Sequence, residues 1–186
     1  GNFDGYYLTA ANYAADAADG ILDKPDVGGD TSATIVATPT NFESKIATAE
    51  AGSTIQLTAG TYIPSSEPLS ISKRVNLIGA GAGQTVIAGP VQFEITEAQN
   101  GETLTVSGIT FQASETSNVQ GLQFCSDKPN DGLNLAIDVE NCAFDGWTFG
   151  ITMNSHANGF DMTVTDCDFS GSLYAVSYNY DDITEG

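Results

Sequence analysis

An internal repeat limits the possible fold of this chain more than any other feature of its sequence. Three segments align without a gap: LTVSGITFQAS from Leu104, IDVENCAFDGW from Ile137 and MTVTDCDFSGS from Met162. The offsets between them are 33 and then 25 residues. An interval of this size with occasional insertion is typical of a solenoid, in which each turn of the chain covers the next turn.

One position of the repeat carries residues that tolerate a left-handed backbone. It holds Gly108 in the first segment, Asn141 in the second and Asp166 in the third. These residue types adopt that conformation most readily, so we expect a sharp bend between two short strands. Alternation along the strands then predicts inward columns of like residues, which are Val106, Val139 and Val164 before the bend, Ile109, Cys142 and Cys167 after it, and finally Phe111, Phe144 and Phe169.

Another strand is expected after each bend. FGITM from Phe149 matches YAVSY from Tyr174 at the same offset of 25 residues, and GLQF is a looser counterpart in the preceding turn. Alternation predicts that Phe149, Ile151 and Met153 share one face of their strand. The stretch GSTIQLTAGTYI, residues 52–63, alternates in the same way and is interrupted by a turn. The fold class is therefore expected to be all-β, with short stacked strands around one core.

A helix is expected ahead of the first strands of the repeat. The segment TNFESKIATAEAG, Thr40 to Gly52, has apolar residues at helical spacing, which are Phe42, Ile46 and Ala49. Thr40 or Asn41 is suited to be the N-cap, and Gly52 is a suitable stop. Such a helix is expected to cover the open end of the core. Residues 9–19 have the composition of another short helix.

The charge of the chain excludes some partners. Of its 186 residues, 24 are Asp or Glu and only five are Lys or Arg, which gives a formal net charge of −19. Binding to nucleic acid or to an anionic membrane surface needs clustered basic residues, so neither partner is expected. No apolar run reaches the length that spans a bilayer, and residues 1–20 lack the features of a signal peptide.

The chain resembles the right-handed parallel β-helices of the pectin-lyase-like superfamily. The resemblance lies in the order of small, apolar and aromatic residues in Phe42–Tyr62, in VNLIGAGAGQTVI from Val75, and in the Cys-x-Phe turns. The resemblance covers about residues 38–180. It implies an N-terminal extension at residues 1–36, partly helical, followed by a β-helix domain at residues 37–186. The sequence leaves open whether further coils continue beyond that domain or a second copy stacks end to end on it. An extracellular or cell-surface location follows from the resemblance alone.

The superfamily that the chain resembles includes lyases and hydrolases, but the chain has few residues suited to their chemistry. A lyase on acidic sugars needs a strong base, and Lys73 and Arg74 are more consistent with a solvated strand edge. His156, in NSHANG, is expected in a solvated turn. The adjacent cysteines Cys142 and Cys167 are expected to be reduced thiols that behave as small hydrophobic residues. No catalytic residue is therefore assigned.

Two functions remain open for this chain. The first is a non-catalytic, adhesin-like surface module that binds glycans or partner proteins, with Asp138, Glu140, Asp145 and Trp147 as ligand-binding residues. Trp147 and Tyr180 are candidates for stacking on sugars, although either side chain could equally pack in the core. The second is a polysaccharide-processing hydrolase or lyase that uses Asp138, Glu140 and Asp145. No cofactor is required, but Asp23, Asp26 and Asp30 form a candidate Ca²⁺ site, and Asp166 and Asp168 supply a second carboxylate pair.

Overall fold

Sixteen β-strands and one short α-helix make up the described part of the chain. The structure is a computed structural model that describes residues 33–95, 101–114, 118–126, 134–154 and 160–179. The short helix expected at residues 9–19 therefore lies outside the described residues, and residues 34–36 of the expected N-terminal extension belong to a β-strand. No helix within the described ranges is long and apolar enough to cross a membrane.

The strands form three sheets in which all paired strands are parallel. Sheet A contains β1 (Thr34–Ala37), β2 (Thr54–Leu57), β5 (Asn76–Ile78), β8 (Thr103–Ser107), β11 (Leu135–Glu140) and β14 (Phe160–Thr165). Sheet B contains β3 (Gly60–Tyr62), β6 (Thr85–Ala88), β9 (Thr110–Gln112), β12 (Ala143–Asp145) and β15 (Asp168–Gly171). Sheet C contains β4 (Leu69–Ile71), β7 (Val91–Glu94), β10 (Gln120–Cys125), β13 (Phe149–Asn154) and β16 (Tyr174–Asn179).

From β2 onward, successive strands enter sheets A, B and C in a fixed cycle. Each set of three consecutive strands therefore lies beside the next set, and we call such a set a coil. The arrangement is all-β and is consistent with the parallel β-helix that the repeat predicts.

The columns of like residues predicted from the repeat are confirmed. In sheet A, Val139 pairs with Val106 on one side and with Val164 on the other. The predicted bend residues all have positive φ, at 67° for Gly108, 50° for Asn141 and 51° for Asp166. The bend lets the chain leave sheet A and enter sheet B after only two residues in each of these three coils.

Like aromatic rings stack along the core. Phe144 stacks between Phe111 and Phe169, with ring centroids 5.1 Å and 4.8 Å away. Phe93 and Phe124 form a second stack at 5.4 Å. These distances follow from the spacing of neighbouring strands, because like residues lie directly above one another when the register is kept.

The unequal offsets of the repeat come from the other two connections of each coil. The connection from β9 to β10 has seven residues and that from β12 to β13 has three. The connection from β10 to β11 has nine residues and that from β13 to β14 has five. The extra residues therefore enter between sheets B and C and between sheets C and A, and the bend between sheets A and B keeps its length.

The helix α1 (Phe42–Thr48) follows β1. Its N-cap is Asn41, as expected, and Phe42, Ile46 and Ala49 are all buried. The helix ends four residues before Gly52, which instead lies in a turn with φ 88°. Phe42 meets Tyr62 of β3 edge to face at 5.2 Å, so α1 packs onto the first coil.

Burial falls off at the last described coil. The inward positions of β11 are fully buried, whereas the matching positions of β14 are only half-buried. Val176 and Tyr178 of β16, which pair with Ile151 and Met153, are exposed. Among the described residues, the apolar side chains of β14, β15 and β16 are therefore the most exposed members of the core columns.

Candidate functional site

Two of the predicted ligand-binding carboxylates lie on the outer face of sheet A. Asp138 and Glu140 are half-buried outward positions of β11. The partners of Asp138 in the register are Thr105 and Thr163. Those of Glu140 are Ser107 and Thr165. Each carboxylate is thus flanked on both sides by a hydroxyl side chain, which gives sheet A a flat polar stripe.

The third predicted carboxylate lies on a different sheet. Asp145 is the last residue of β12, in sheet B, and it is exposed. Its register partners are Gln112 of β9 and Gly171 of β15. The structure therefore brings Asp138 and Glu140 together on one face and places Asp145 on another, so the three do not form one carboxylate cluster.

Trp147 is a core residue. Its side chain is only 2% exposed, and its indole Nε1 donates a hydrogen bond of 2.9 Å to the carbonyl oxygen of Phe111. A buried ring with a satisfied N–H cannot present a face to a sugar. The prediction of Trp147 as a ligand-binding residue is corrected accordingly, and packing in the core is the alternative that the structure shows. Tyr180 lies outside the described residues.

A different aromatic pair, for which the sequence predicted no binding role, lies at the surface. Phe149 and Tyr174 occupy paired positions at the starts of β13 and β16. Their rings stack with centroids 5.2 Å apart and an interplanar angle of 17°. Tyr174 is 54% exposed, and Phe149 is half-buried without packing against the core cluster.

Phe149 lies outside the core because of the packing around the next residue, Gly150. A Cβ atom at Gly150 would lie 2.7 Å from Cδ1 of Phe169, so the core ring already fills the space inside this position. A Cβ at Gly121, in the preceding coil, would likewise meet the Trp147 indole at 3.0 Å. The expected common face of Phe149, Ile151 and Met153 is thus broken at the start of the strand. Ile151 stays buried, and Phe149 turns outward.

The surface around the two rings is also apolar. Val119 is 55% exposed and Leu173 is 71% exposed, and each directly precedes the first residue of its strand in sheet C. Backbone hydrogen bonds from Phe149 N to Val119 O and from Tyr174 N to Thr148 O, both 2.8 Å, hold the neighbouring connections in register. We call Val119, Phe149, Leu173 and Tyr174 the aromatic corner. Asp145 ends the strand before this corner, four residues ahead of Phe149.

The basic residues Lys73 and Arg74 have structural partners. Lys73 Nζ donates to the carbonyl oxygens of Ala47 and Ala49, at 2.9 Å and 2.6 Å, and so satisfies acceptors at the end of α1. Arg74 donates to Thr103 O at 3.2 Å and forms an ion pair with Glu102 at 3.5 Å. Both cations therefore stabilise the N-terminal coils, and neither is placed as a catalytic base.

The predicted metal ligands Asp23, Asp26 and Asp30 lie outside the described residues, as does His156. Among the residues that the structure does describe, no group of three or more His, Cys, Asp or Glu could hold a metal ion. Asp166 forms the bend itself, and Asp168 Oδ1 accepts a hydrogen bond of 2.8 Å from the Ser170 N–H. The Ser170 N–H and hydroxyl hold the pKa of the Asp168 carboxyl below its usual range.

Comparison with known proteins finds no relative: no protein-family model matches the chain, and neither the curated proteins nor the solved structures contain a match.

Proposed function

We propose that this chain is a non-catalytic, adhesin-like module that binds glycans through the aromatic corner. The observation that carries the proposal is the stacked pair of Phe149 and Tyr174, which lies outside the core cluster although both rings are large and apolar. Exposed apolar surface of this kind commonly marks a binding site. Within this proposal the fold is a right-handed parallel β-helix of the pectin-lyase-like kind, α1 serves as its N-terminal cap, and the location is extracellular or at the cell surface.

Ring stacking suits a sugar ligand in particular. A pyranose ring has one face made of C–H groups, which packs on an aromatic ring, and a rim of hydroxyl groups that needs polar partners. Phe149 and Tyr174 supply the flat surface. Gln120, the register partner of Phe149, supplies a donor and an acceptor on the adjoining strand, and Asp145, exposed at the end of β12, supplies a carboxylate four residues before Phe149 in the chain. Lower affinity for anionic sugars is expected, because the net charge of −19 repels carboxylates and sulfates.

A glycan array tests this proposal, with every arm run both with and without Ca²⁺. We expect binding to neutral glycans by the intact chain, and a loss of about fivefold or more in affinity for Tyr174→Ala and Phe149→Ala, since an aromatic contact contributes about 1 kcal/mol or more. Tyr174→Phe keeps the ring and should bind nearly as well as the parent chain. Ile63→Ala is the matched control, because Ile63 is also exposed but lies outside the aromatic corner.

If Ile63→Ala weakens glycan binding as much as Tyr174→Ala does, the aromatic corner is not the binding site. A requirement for Ca²⁺ would point instead to a metal site in the part of the chain that contains Asp23, Asp26 and Asp30. Strong binding to polyuronates would contradict the expected charge selectivity.

One observation supports hydrolysis as a second candidate. Asp138 and Glu140 are two residues apart on the same face of β11, which places their side chains about 7 Å apart at the backbone. Carboxyl groups of inverting glycosidases are separated by about 6.5–9.5 Å. An assay for new reducing ends on the glycans that bind tests this activity. If the chain releases reducing ends and Asp138→Asn and Glu140→Gln each abolish that release, the hydrolase is established. Binding without release of reducing ends would support the non-catalytic module.

The apolar surface of the last coil suggests a protein contact in addition to the glycan. Its exposed strand edges could receive a second copy of the chain or a continuation of the coil. Size-exclusion chromatography over a dilution series tests self-association. A concentration-dependent dimer would support stacking of two copies, and a monomer at all concentrations would contradict it.

A further inference from the structure

Two strands at the start of the stack have no described strand beside them on their N-terminal side. These are β3, the first strand of sheet B, and β4, the first strand of sheet C. Their core residues are nonetheless buried, with exposed fractions of 0% for Tyr62 of β3 and of 6% and 1% for Leu69 and Ile71 of β4. In sheet A the corresponding place is taken by β1, which pairs with β2. Strand β1 therefore covers only one of the three sheets.

The helix α1 packs at the end of the stack that β1 leaves uncovered. Phe42 and Ile46 of α1 belong to the same buried cluster as Tyr62, Leu69 and Ile71, and the ring of Phe42 meets that of Tyr62 edge to face. An isolated helix of seven residues is not stable in water, so α1 depends on these contacts for its structure.

Two charged side chains tie the ends of α1 to the segments that follow β3 and β4. At the first turn, the Glu43 carboxylate accepts hydrogen bonds from the Ser65 N–H and hydroxyl, at 2.5 Å and 2.8 Å. At the last turn, Lys73 Nζ donates to the carbonyl oxygens of Ala47 and Ala49. Ser65 lies three residues after β3, and Lys73 lies two residues after β4. The helix is thus fastened beside both strands that lack a strand neighbour.

We propose that α1 is a releasable cover over a docking surface formed by the N-terminal edges of β3 (Gly60–Tyr62) and β4 (Leu69–Ile71), and that this surface binds the same surface of a second copy of the chain once α1 is released. The inference rests on α1 as the N-terminal cap and goes beyond glycan binding. An uncovered strand edge carries unpaired N–H and C=O groups that pair readily with another strand. Two copies that meet through the same edges form a two-fold dimer, which leaves neither edge free.

The distribution of charge favours a second copy at this end of the stack. Residues 33–74 contain three basic and three acidic residues, so their formal net charge is zero. The described residues after position 74 contain no basic residue and eight acidic residues, which are Glu94, Glu102, Asp138, Glu140, Asp145, Asp161, Asp166 and Asp168. Two copies of the chain therefore repel each other least where their first coils meet.

The test releases α1 in the full chain without changing its net charge. The double variant Glu43→Met with Lys73→Met removes both ties and keeps side chains of similar length. Lys45→Met with Glu50→Met is the matched control. Lys45 lies on α1 and Glu50 just after it, and neither side chain forms a hydrogen bond or an ion pair with the residues that the structure describes. Far-ultraviolet circular dichroism reports whether each variant folds.

Light scattering after size-exclusion chromatography measures the mass of each variant. We expect the Glu43→Met, Lys73→Met variant to reach twice the mass of the parent chain at the same concentration, and the control to keep the mass of the parent. Phe42→Ala releases α1 by a different route, through loss of the ring contact with Tyr62, and should give the same twofold mass.

Hydrogen exchange locates the new contact. In dilute solutions of the Glu43→Met, Lys73→Met variant, the amides of β3 and β4 should exchange about tenfold faster than in the parent, since a hydrogen bond to a charged group shifts a local opening by about that factor. At concentrations where the mass has doubled, the same amides should be protected again, because they are then covered by the second copy.

The proposal is overturned if the Glu43→Met, Lys73→Met variant and Phe42→Ala both fold, exchange faster at β3 and β4, and keep the mass of the parent. A doubled mass in the control would also overturn it, because loss of the ties of α1 would then not be the cause. Protection gained only at strands other than β3 and β4 would contradict the docking surface. None of these measurements uses a glycan, so the results do not depend on whether the aromatic corner binds one.

Discussion

The bend between sheets A and B depends on single residues that adopt positive φ at small cost. Asn141 and Asp166 are at φ 50° and 51°, where most residues with a Cβ atom lose about 1–2 kcal/mol. Asn and Asp reduce this cost because their short polar side chains bond locally, and glycine avoids it. Gly, Asn and Asp at the same position of a repeat therefore predict a bend with positive φ.

Substitution of Asn141 tests this interpretation. Asn141→Val places a β-branched residue in the left-handed region and should lower the free energy of unfolding by about 1–2 kcal/mol. Asn141→Gly should change it much less. Urea denaturation followed by circular dichroism measures both, and Thr163→Val, at an exposed position of β14, is the control. A loss for Thr163→Val as large as that for Asn141→Val would argue against backbone strain as the cause.

At the scale of the elements, the stacked rings make each coil depend on its neighbours. Phe144 lies between two rings and is fully buried, while Phe169 has a ring on one side and is half-buried. The two residues have the same side chain and the same place in the repeat. Their difference therefore isolates the effect of a neighbouring coil.

Truncation of each ring should show this difference. Phe144→Ala should cost about 3–5 kcal/mol, because it leaves a cavity between two fixed rings. Phe169→Ala should cost clearly less, since its site is partly open to solvent and can relax. Equilibrium denaturation of both variants provides the comparison. Equal losses would indicate that the last coil is as well covered as the coil before it.

The elements also show which parts of the structure can be predicted from the sequence. The parallel register of β8, β11 and β14 follows from an ungapped repeat, because like residues at like positions pack best when they lie in register. The outward turn of Phe149 could not be predicted in this way. Alternation assumes a straight strand. This strand begins at a corner, and there the ring of Phe169 occupies the space that a side chain at position 150 would need. Trp147 was ambiguous for a related reason, since its neighbours in DGWT are typical of a surface loop and only the fold provides Phe111 O as its acceptor.

At the scale of the whole molecule, acidic residues far outnumber basic residues. The formal net charge is −19, and the basic residues of the described ranges, which are Lys45, Lys73 and Arg74, all lie within residues 33–74. Repulsion among carboxylates opposes the compact state, and dissolved ions screen it within about 10 Å at 0.1 M salt. The stability of the chain should therefore depend on ionic strength.

Thermal unfolding in a salt series tests this dependence. Raising NaCl from about 10 mM to about 300 mM should increase the Tm by several degrees, since a gain of about 1 kcal/mol shifts the Tm of a chain of this size by about 2–4 °C. Choline chloride at equal ionic strength should have the same effect. A fall in Tm with salt would contradict net repulsion, and a larger rise in CaCl₂ at equal ionic strength would reveal specific cation binding.

The two-residue bend and the variable connections beside it have a consequence for how such a chain can diversify. In the last three coils the connection between sheets A and B keeps a length of two residues, and the connections at the other two vertices range from two to nine residues. A segment can therefore lengthen or change its composition there while the hydrogen-bonded ladders keep their alignment. The aromatic corner lies at one of these tolerant vertices, so its recognition properties can be altered, by natural variation or by grafting, without rebuilding the interior.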